Sequence, residues 1–219
     1  MIAYKYFIII SLFILMPFIA EASNGGSTVS IRTESWEGYT EEGDGYLFKL
    51  IDRVYSSIGY ETEFKFLPFL RCVQSVAGGK ADILVGVVPE DVFIGENILV
   101  NKYPLFYDEI SVAYREGEVD EWQGESFFKG KKGVQMRGYN YQAAFGVPVD
   151  IIEVSSIKQQ WQMLMSRRVD YIIGNRVQLE KYQRNNADKV KGIVISVAKV
   201  QAGYLGFSNT VRGRMLMAA

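Results

Sequence analysis

The sequence predicts an α/β chain of two lobes, each built on the same helix–turn–strand unit. Two observations carry that prediction. Lys80-Ala81-Asp82-Ile83-Leu84-Val85-Gly86 returns as Arg168-Val169-Asp170-Tyr171-Ile172-Ile173-Gly174, and each copy follows a segment with helical apolar spacing. In both, a basic residue closes the helix, an Asp sits in the turn, and three apolar residues form a short strand that ends at a Gly. An unbroken apolar run of this length suits a parallel strand covered on both faces. Ligands of open α/β sheets bind beyond the carboxyl ends of such strands, so two units imply two crevices facing each other. Only the Asp and the Gly are identical between the copies, and an ordinary helix–turn–strand connection shares that much.

The first segment is an export signal. Residues 2–20 carry one positive charge, Lys5, and an apolar core broken by Pro17, then meet the small-x-small site Ala20-Glu21-Ala22. A membrane span is the other reading, but the run is short, holds a proline and leads into Ser23-Asn24-Gly25-Gly26-Ser27. Cleavage after Ala22 and a periplasmic location are expected; no cysteine lies near the cut to carry a lipid.

Thr28-Val29-Ser30-Ile31-Arg32-Thr33 alternates as a first strand, with a loop at 36–39 after it. Leu47, Leu50, Ile51, Val54 and Ile58 share one helical face, and Gly59 ends that helix. Glu61-Thr62-Glu63-Phe64-Lys65-Phe66 alternates as a second strand; Pro68 opens a helix that Gly78-Gly79 stops before the first repeated strand. Residues 103–114, rich in aromatic and β-branched types, read as an extended crossing to the second lobe. Gly133-Val134-Gln135-Met136-Arg137 starts a second sheet, and Asp150-Ile151-Ile152-Glu153-Val154 adds a strand. Ile157, Trp161, Leu164 and Met165 form the apolar stripe of the next helix, and the second repeated strand follows. A polar helix over 178–185 and two late strands, Ile193-Val194-Ile195 and Tyr204-Leu205-Gly206-Phe207, complete the chain, the last returning to the first lobe. The organisation read from this is a signal at 1–22, one lobe over 23–112, a second over 113–197 and a return segment over 198–219.

A formal net charge of −1 argues against nucleic acid or an anionic membrane as partner. The 219 residues include no histidine and one cysteine, Cys72, which excludes a His-based triad, a His zinc site and an intramolecular disulfide. Cys72 lies in a predicted helix and reads as a small core residue. No metal or cofactor is expected, and the chain is read as a monomer.

Five segments in order resemble the extracellular solute-binding proteins of family 3, the polar amino acid receptors of ABC importers. They are Trp36-x-Gly-Tyr39, LPFLRCVQSVAGGKADILVGVVPED at 67–91, YPLFYDEISVAYREG at 103–117, GKKGVQMRGYNY at 130–141 and SRRVDYIIGNRVQLEKY at 166–182. The resemblance implies a type II periplasmic-binding-protein fold, two α/β lobes with mostly parallel sheets that close around a solute.

It also implies where the solute sits. In the first lobe it points to Trp36 and Tyr39, to Phe69 and Arg71 at a helix start, and to Gly86 and Val87 at a strand end. Trp36 and Tyr39 can grip a planar or apolar group, or simply plug the lobe's edge. Arg71 can pair with a carboxylate or phosphate, or hold helix ends. In the second lobe it points to Arg137, Tyr139, Asn140, Tyr141 and Asn175. The stretch from Arg137 to Tyr141 lies before an expected helix start, where free N–H groups favour an anion; a turn with surface tyrosines is the alternative.

The chain also departs from the family. Members usually carry an Arg after the Pro-Glu of the first lobe and an Asp after the second-lobe strand; here Asp91 and Asn175 stand there. Both charge anchors of an α-amino acid are then missing, and an unpaired buried charge costs several kcal/mol. Members also continue into a helix packed on the first lobe, whereas residues 211–219 read as a stunted helix or a truncation, leaving apolar surface open. The resemblance favours binding of a small polar or anionic solute for import through an ABC permease or for a membrane sensor. An enzyme of the cyclohexadienyl dehydratase kind is the alternative, with Glu37, Glu90, Asp91 or Asp108 as acid or base.

Overall fold

A computed structural model describes residues 28–219 except 37, 42, 89–96 and 120. The expected signal peptide at 1–22, its cleavage site, Glu37 and the Pro89-Glu90-Asp91 stretch lie outside the described residues.

The first sheet begins with β1 (Thr28–Thr33), parallel to both β2 (Glu61–Phe66) and β3 (Ile83–Val87). Helix α1 (Tyr46–Ser57) buries Leu47, Ile51 and Tyr55 on one face of the sheet; α2 (Phe69–Ala77) buries Phe69, Cys72, Val73 and Val76 on the other. Apolar packing on both faces explains the unbroken run in β3. Cys72 is fully buried, as a core residue should be.

The second sheet repeats this plan. Strand β6 (Lys132–Met136) runs parallel to β7 (Asp150–Val154) and to β8 (Tyr171–Asn175). Helices α3 (Ile157–Met165) and α4 (Arg176–Asn185) cover one face, and an aromatic cluster around Phe127, Phe128, Tyr141 and Phe145 covers the other.

The repeated Asp does the same work twice. Asp82 donates its N–H to the Ser30 carbonyl at 2.9 Å while its carboxylate accepts the Ser30 N–H at 2.9 Å, clamping β3 to β1. Asp170 donates to the Lys132 carbonyl at 2.7 Å and accepts the Lys132 N–H at 2.7 Å, clamping β8 to β6. A hydrogen-bonded pair at the matching point of both sheets is a structural reason for the shared residue.

Two antiparallel strands join the sheets. Strand β5 (Phe106–Arg115) pairs with β8 and with β9 (Ile193–Ser208), whose last residues pair with β3 and with the short β4 (Ile98–Val100). The two late strands read from sequence are therefore one 16-residue strand that passes from the second sheet into the first. Val197, Lys199 and Val200 on its middle are part-buried or exposed, so no apolar run marked the continuity.

Residues beyond β9 form the short helix α5 (Val211–Ala218), as the stunted-helix reading expects, and it packs on the first sheet. Leu216 enters the core beside α1, the Tyr55 hydroxyl donates to the Leu216 carbonyl at 3.1 Å, and Arg212 Nε pairs with Asp82 at 3.0 Å. The helix crosses the end of β9 so closely that a Cβ at Gly213 would lie 1.9 Å from the Ser208 carbonyl oxygen.

Candidate functional site

A small cavity of about 60 Å³ lies where the carboxyl ends of β1, β3 and β8 meet the joining strands. Its position follows from topology: the strand ends of both sheets leave a gap that neither helix layer fills. On a scale of roughly 10–15 Å³ per water, it has room for about four to six waters.

The first sheet supplies Thr33, Glu34, Trp36, Val85, Gly86 and Val88, with Phe69 from the start of α2. Gly86 sits at φ +91°, and a Cβ there would lie 3.6 Å from the Trp36 ring, so the glycine lets the chain turn beneath the indole. The indole stacks on Tyr39 at 4.3 Å between centroids and meets Phe106 edge-on at 5.1 Å. The second sheet supplies Tyr139, Asn140, Tyr141, Asn175 and Gln178, and the joining strands supply Phe106, Asp108 and Gln201.

Contacts across the gap hold it shut. Phe69, Tyr139 and Tyr141 form a continuous stack with successive centroids 5.2 Å apart. The Tyr139 hydroxyl donates to Glu34, whose other oxygen accepts the Phe69 N–H at 2.9 Å at the head of α2. Burial first, and then the nearby Glu34 charge, drive the Tyr139 hydroxyl well above its ordinary range. Leu70 rests against Gly138, where a Cβ would come within 2.5 Å of Leu70 Cγ.

Asp108 lies on the cavity wall at 5% exposure. Its carboxylate accepts from Asn175 Nδ2, and from Gln201 Nε2 at 3.5 Å. Both donors are neutral, and burial outweighs them, pushing the carboxyl up to about 6. Asn175 Oδ1 meanwhile accepts the Gln178 N–H at 3.0 Å and caps α4. Asn175 thus lies hydrogen-bonded to a buried carboxylate on the neighbouring strand β5.

Of the sequence-derived candidates, Trp36, Phe69, Gly86, Tyr139, Asn140, Tyr141 and Asn175 line the cavity. Tyr39 stands one layer behind, buttressing Trp36 and donating its hydroxyl to the Tyr107 carbonyl at 3.4 Å. Val87 faces away into the core beside α2: the bulge at Gly86 breaks the strand alternation that would have put it on the face of Val85, which lines the cavity. Arg71 is exposed on α2, two residues and more than half a turn from the Phe69 face. Arg137 is also exposed; its backbone N–H is spent on the Val154 carbonyl at 2.8 Å, and a four-residue 3-10 turn at Tyr141–Ala144 replaces the expected helix start. Neither arginine reaches the cavity.

Residues missed from the sequence include Thr33, Glu34, Phe106, Gln178 and Gln201. Glu34 follows directly on β1, so applying the strand-end rule to the first strand as well as the third would have found it. Among the described residues, the lining holds two carboxylates and no Lys or Arg.

No family model matches the chain, and no curated protein is similar to it in sequence. Solved structures do match. The GluR0 ligand-binding core in complex with L-glutamate is 18% identical with a TM-score of 0.67, over 87% of this chain and 90% of that one. A histidine kinase sensor domain with similarity to periplasmic binding proteins is 17% identical with a TM-score of 0.67, over 87% and 89%. An amino acid ABC transporter substrate-binding protein from Streptococcus pneumoniae, bound to L-arginine, is 14% identical with a TM-score of 0.65, over 88% and 85%. At these identities the likeness concerns the fold: the chain has the two-lobed α/β fold of type II periplasmic binding proteins.

Proposed function

We propose that the protein is an exported solute-binding protein that closes two lobes on a small molecule held between Trp36, Phe69, Asp108 and Tyr141. The observation that carries this reading is the cavity itself, walled from both sheets and from both joining strands, with the Glu34 to Tyr139 bond fastening it. Closure draws affinity from contacts that exist only when the walls meet. The lobes of this reading cover 23–112 and 113–197, with 198–219 returning to the first; both inner boundaries fall within the joining strands β5 and β9. Motion along that ribbon would open the cleft.

The closed form would serve import through a permease or signalling through a membrane sensor; the sensor domain and the transporter component among the structural neighbours support either use. No helix among the described residues is long and apolar enough to cross a membrane. The enzyme alternative rests on Asp108, whose raised proton affinity suits acid–base work. Glu34, the other cavity carboxylate, is held by the Phe69 N–H and Tyr139, which favours binding over turnover.

A thermal-shift screen of the purified protein against small metabolites, followed by small-angle scattering with each hit, tests the proposal. A ligand should raise the melting temperature and alter the radius of gyration. Hits that stabilise without any change in shape, and that still bind a Trp36→Ala variant, would place binding outside the cleft.

A further inference from the structure

The charge of the cleft selects its ligand. Asp108 is buried, its hydrogen-bond donors, Asn175, Gln201 and the Glu109 backbone, are all neutral, and the basic residue nearest in sequence to Asn175, Arg176, is already paired with Glu109 at 3.0 Å and Glu180 at 2.7 Å. Glu34 adds a second carboxylate. The groups whose fields meet that of Asp108 include Glu109, Tyr39 and Tyr139, none of which brings a positive charge, and Lys199, two residues from Gln201 on β9, donates its ammonium to the Ala144 carbonyl. A ligand carboxylate entering here would meet two negative charges and no cation among the described lining residues. A ligand cation would compensate a buried anion that the protein leaves uncompensated.

The remaining wall is aromatic. Phe106 lies two residues from Asp108 on the same strand, hence on the same face, and Trp36 and the Phe69–Tyr139–Tyr141 stack surround the space. Aromatic faces attract cations, most strongly where water is excluded.

Resting on the solute-binding reading of this cleft, we propose that its ligand is a small organic cation without a carboxylate: an alkylammonium or quaternary ammonium compound seated on Asp108 against the Trp36 and Phe106 rings. The cavity, with room for about four to six waters, limits it to a few heavy atoms in the closed form. This narrows the polar or anionic solute expected from sequence: Arg71 and Arg137 stand outside, a 3-10 turn replaces the expected helix start, and of those anion-binding groups Asn140 alone lines the cavity.

Calorimetric titration of the whole protein with compounds of matched size tests the inference: n-propylammonium, tetramethylammonium, alanine, propionate and propan-1-ol. At least one of the two cations should bind ten-fold or more tightly than alanine and propionate. Asp108→Asn should weaken that binding at least ten-fold, and Phe106→Leu should weaken it several-fold while circular dichroism stays unchanged. Tighter binding of alanine or propionate in the cleft, lost on Trp36→Ala, would overturn the cation inference and leave the solute-binding reading standing. Equal binding of all five compounds, indifferent to Trp36→Ala and Asp108→Asn, would overturn both; failure of both cations to bind overturns the inference alone.

Discussion

Asp108→Asn should make the empty protein more stable while removing its ligand. The Asp108 carboxyl ordinarily titrates at 3.8 and is pushed to about 6 by burial, so the native state holds its proton more tightly than the unfolded chain does. A carboxyl raised in this way destabilises the fold once ionised. Its penalty is absent below the unfolded value, grows as pH rises from about 4 to 6, and is complete above that. The difference of about two pH units corresponds to about 3 kcal/mol at neutral pH. The substitution leaves the shape unchanged: the new side-chain oxygen can keep the bond from Asn175, and Gln201 can turn its amide to accept from the new nitrogen. Urea unfolding at pH 7 should shift upward by about 1 to 2 M with an unchanged slope, taking a slope of about 2 kcal/mol per molar. Near pH 4 the two proteins should unfold together. A variant that is no more stable at pH 7, or whose gain is the same at both pH values, would refute the assignment of an uncompensated carboxylate. A stabilising change that abolishes binding is the pattern expected where function holds a costly group in place.

Tyr139→Phe removes the hydroxyl that reaches Glu34, a bond to a charged acceptor worth about 1.5 to 3 kcal/mol; ligand affinity should fall at least ten-fold by calorimetry. Because the bond spans the cleft, the ligand-free melting temperature should move far less than the affinity. Gly213→Ala should destabilise the protein by at least about 1 kcal/mol despite the better helix propensity of Ala, since the added carbon meets the Ser208 carbonyl; chemical unfolding measures it. Arg71→Ala and Arg137→Ala, both exposed and clear of the cavity, should each leave affinity and stability within about 0.5 kcal/mol of the parent.

The fold was legible in most elements with one buried face. β2 has the bounds its alternation gives and α2 those its flanking Pro and Gly give, whereas α1 buries Leu47 and Ile51 of its expected stripe, turns Tyr55 inward and leaves Val54 and Ile58 exposed. The repeat marked the two equivalent strands, and the reason it did so, the clamp from Asp82 to Ser30 and from Asp170 to Lys132, became visible only when the strands were paired. β9 was read as two pieces because its middle packs in a two-stranded ribbon rather than in a core, so no pattern of burial spans it. Helix α5 was underestimated for a related reason: it buries Gly213 and Leu216 but leaves Val211, Met215 and Met217 exposed, which blurs any apolar stripe.

The cavity wall was legible in its aromatic residues and not in its charged ones. Trp36, Phe69, Tyr139 and Tyr141 stand in loops or at element starts, where bulky rings have few reasons to be other than contact. Arginines were favoured for the opposite reason, that a charge in a glycine-containing turn suggests an anion. Whether such a side chain turns inward depends on its phase along the element: Phe69 faces the cleft, and Arg71, on the same helix, faces solvent. Asp108 and Gln201 meet only because β5 pairs with β9 in the register that sets them opposite each other, information that no local pattern carries.

The central claim, that a solute is enclosed between the lobes, is tested most directly by a crystal structure with the tightest-binding compound from the screen. The account predicts the compound between Trp36 and Tyr141, within hydrogen-bonding or ion-pair distance of Asp108, with Tyr139 bonded to Glu34 across it. A compound bound anywhere else, with this cleft closed and filled only by its own side chains, would contradict it.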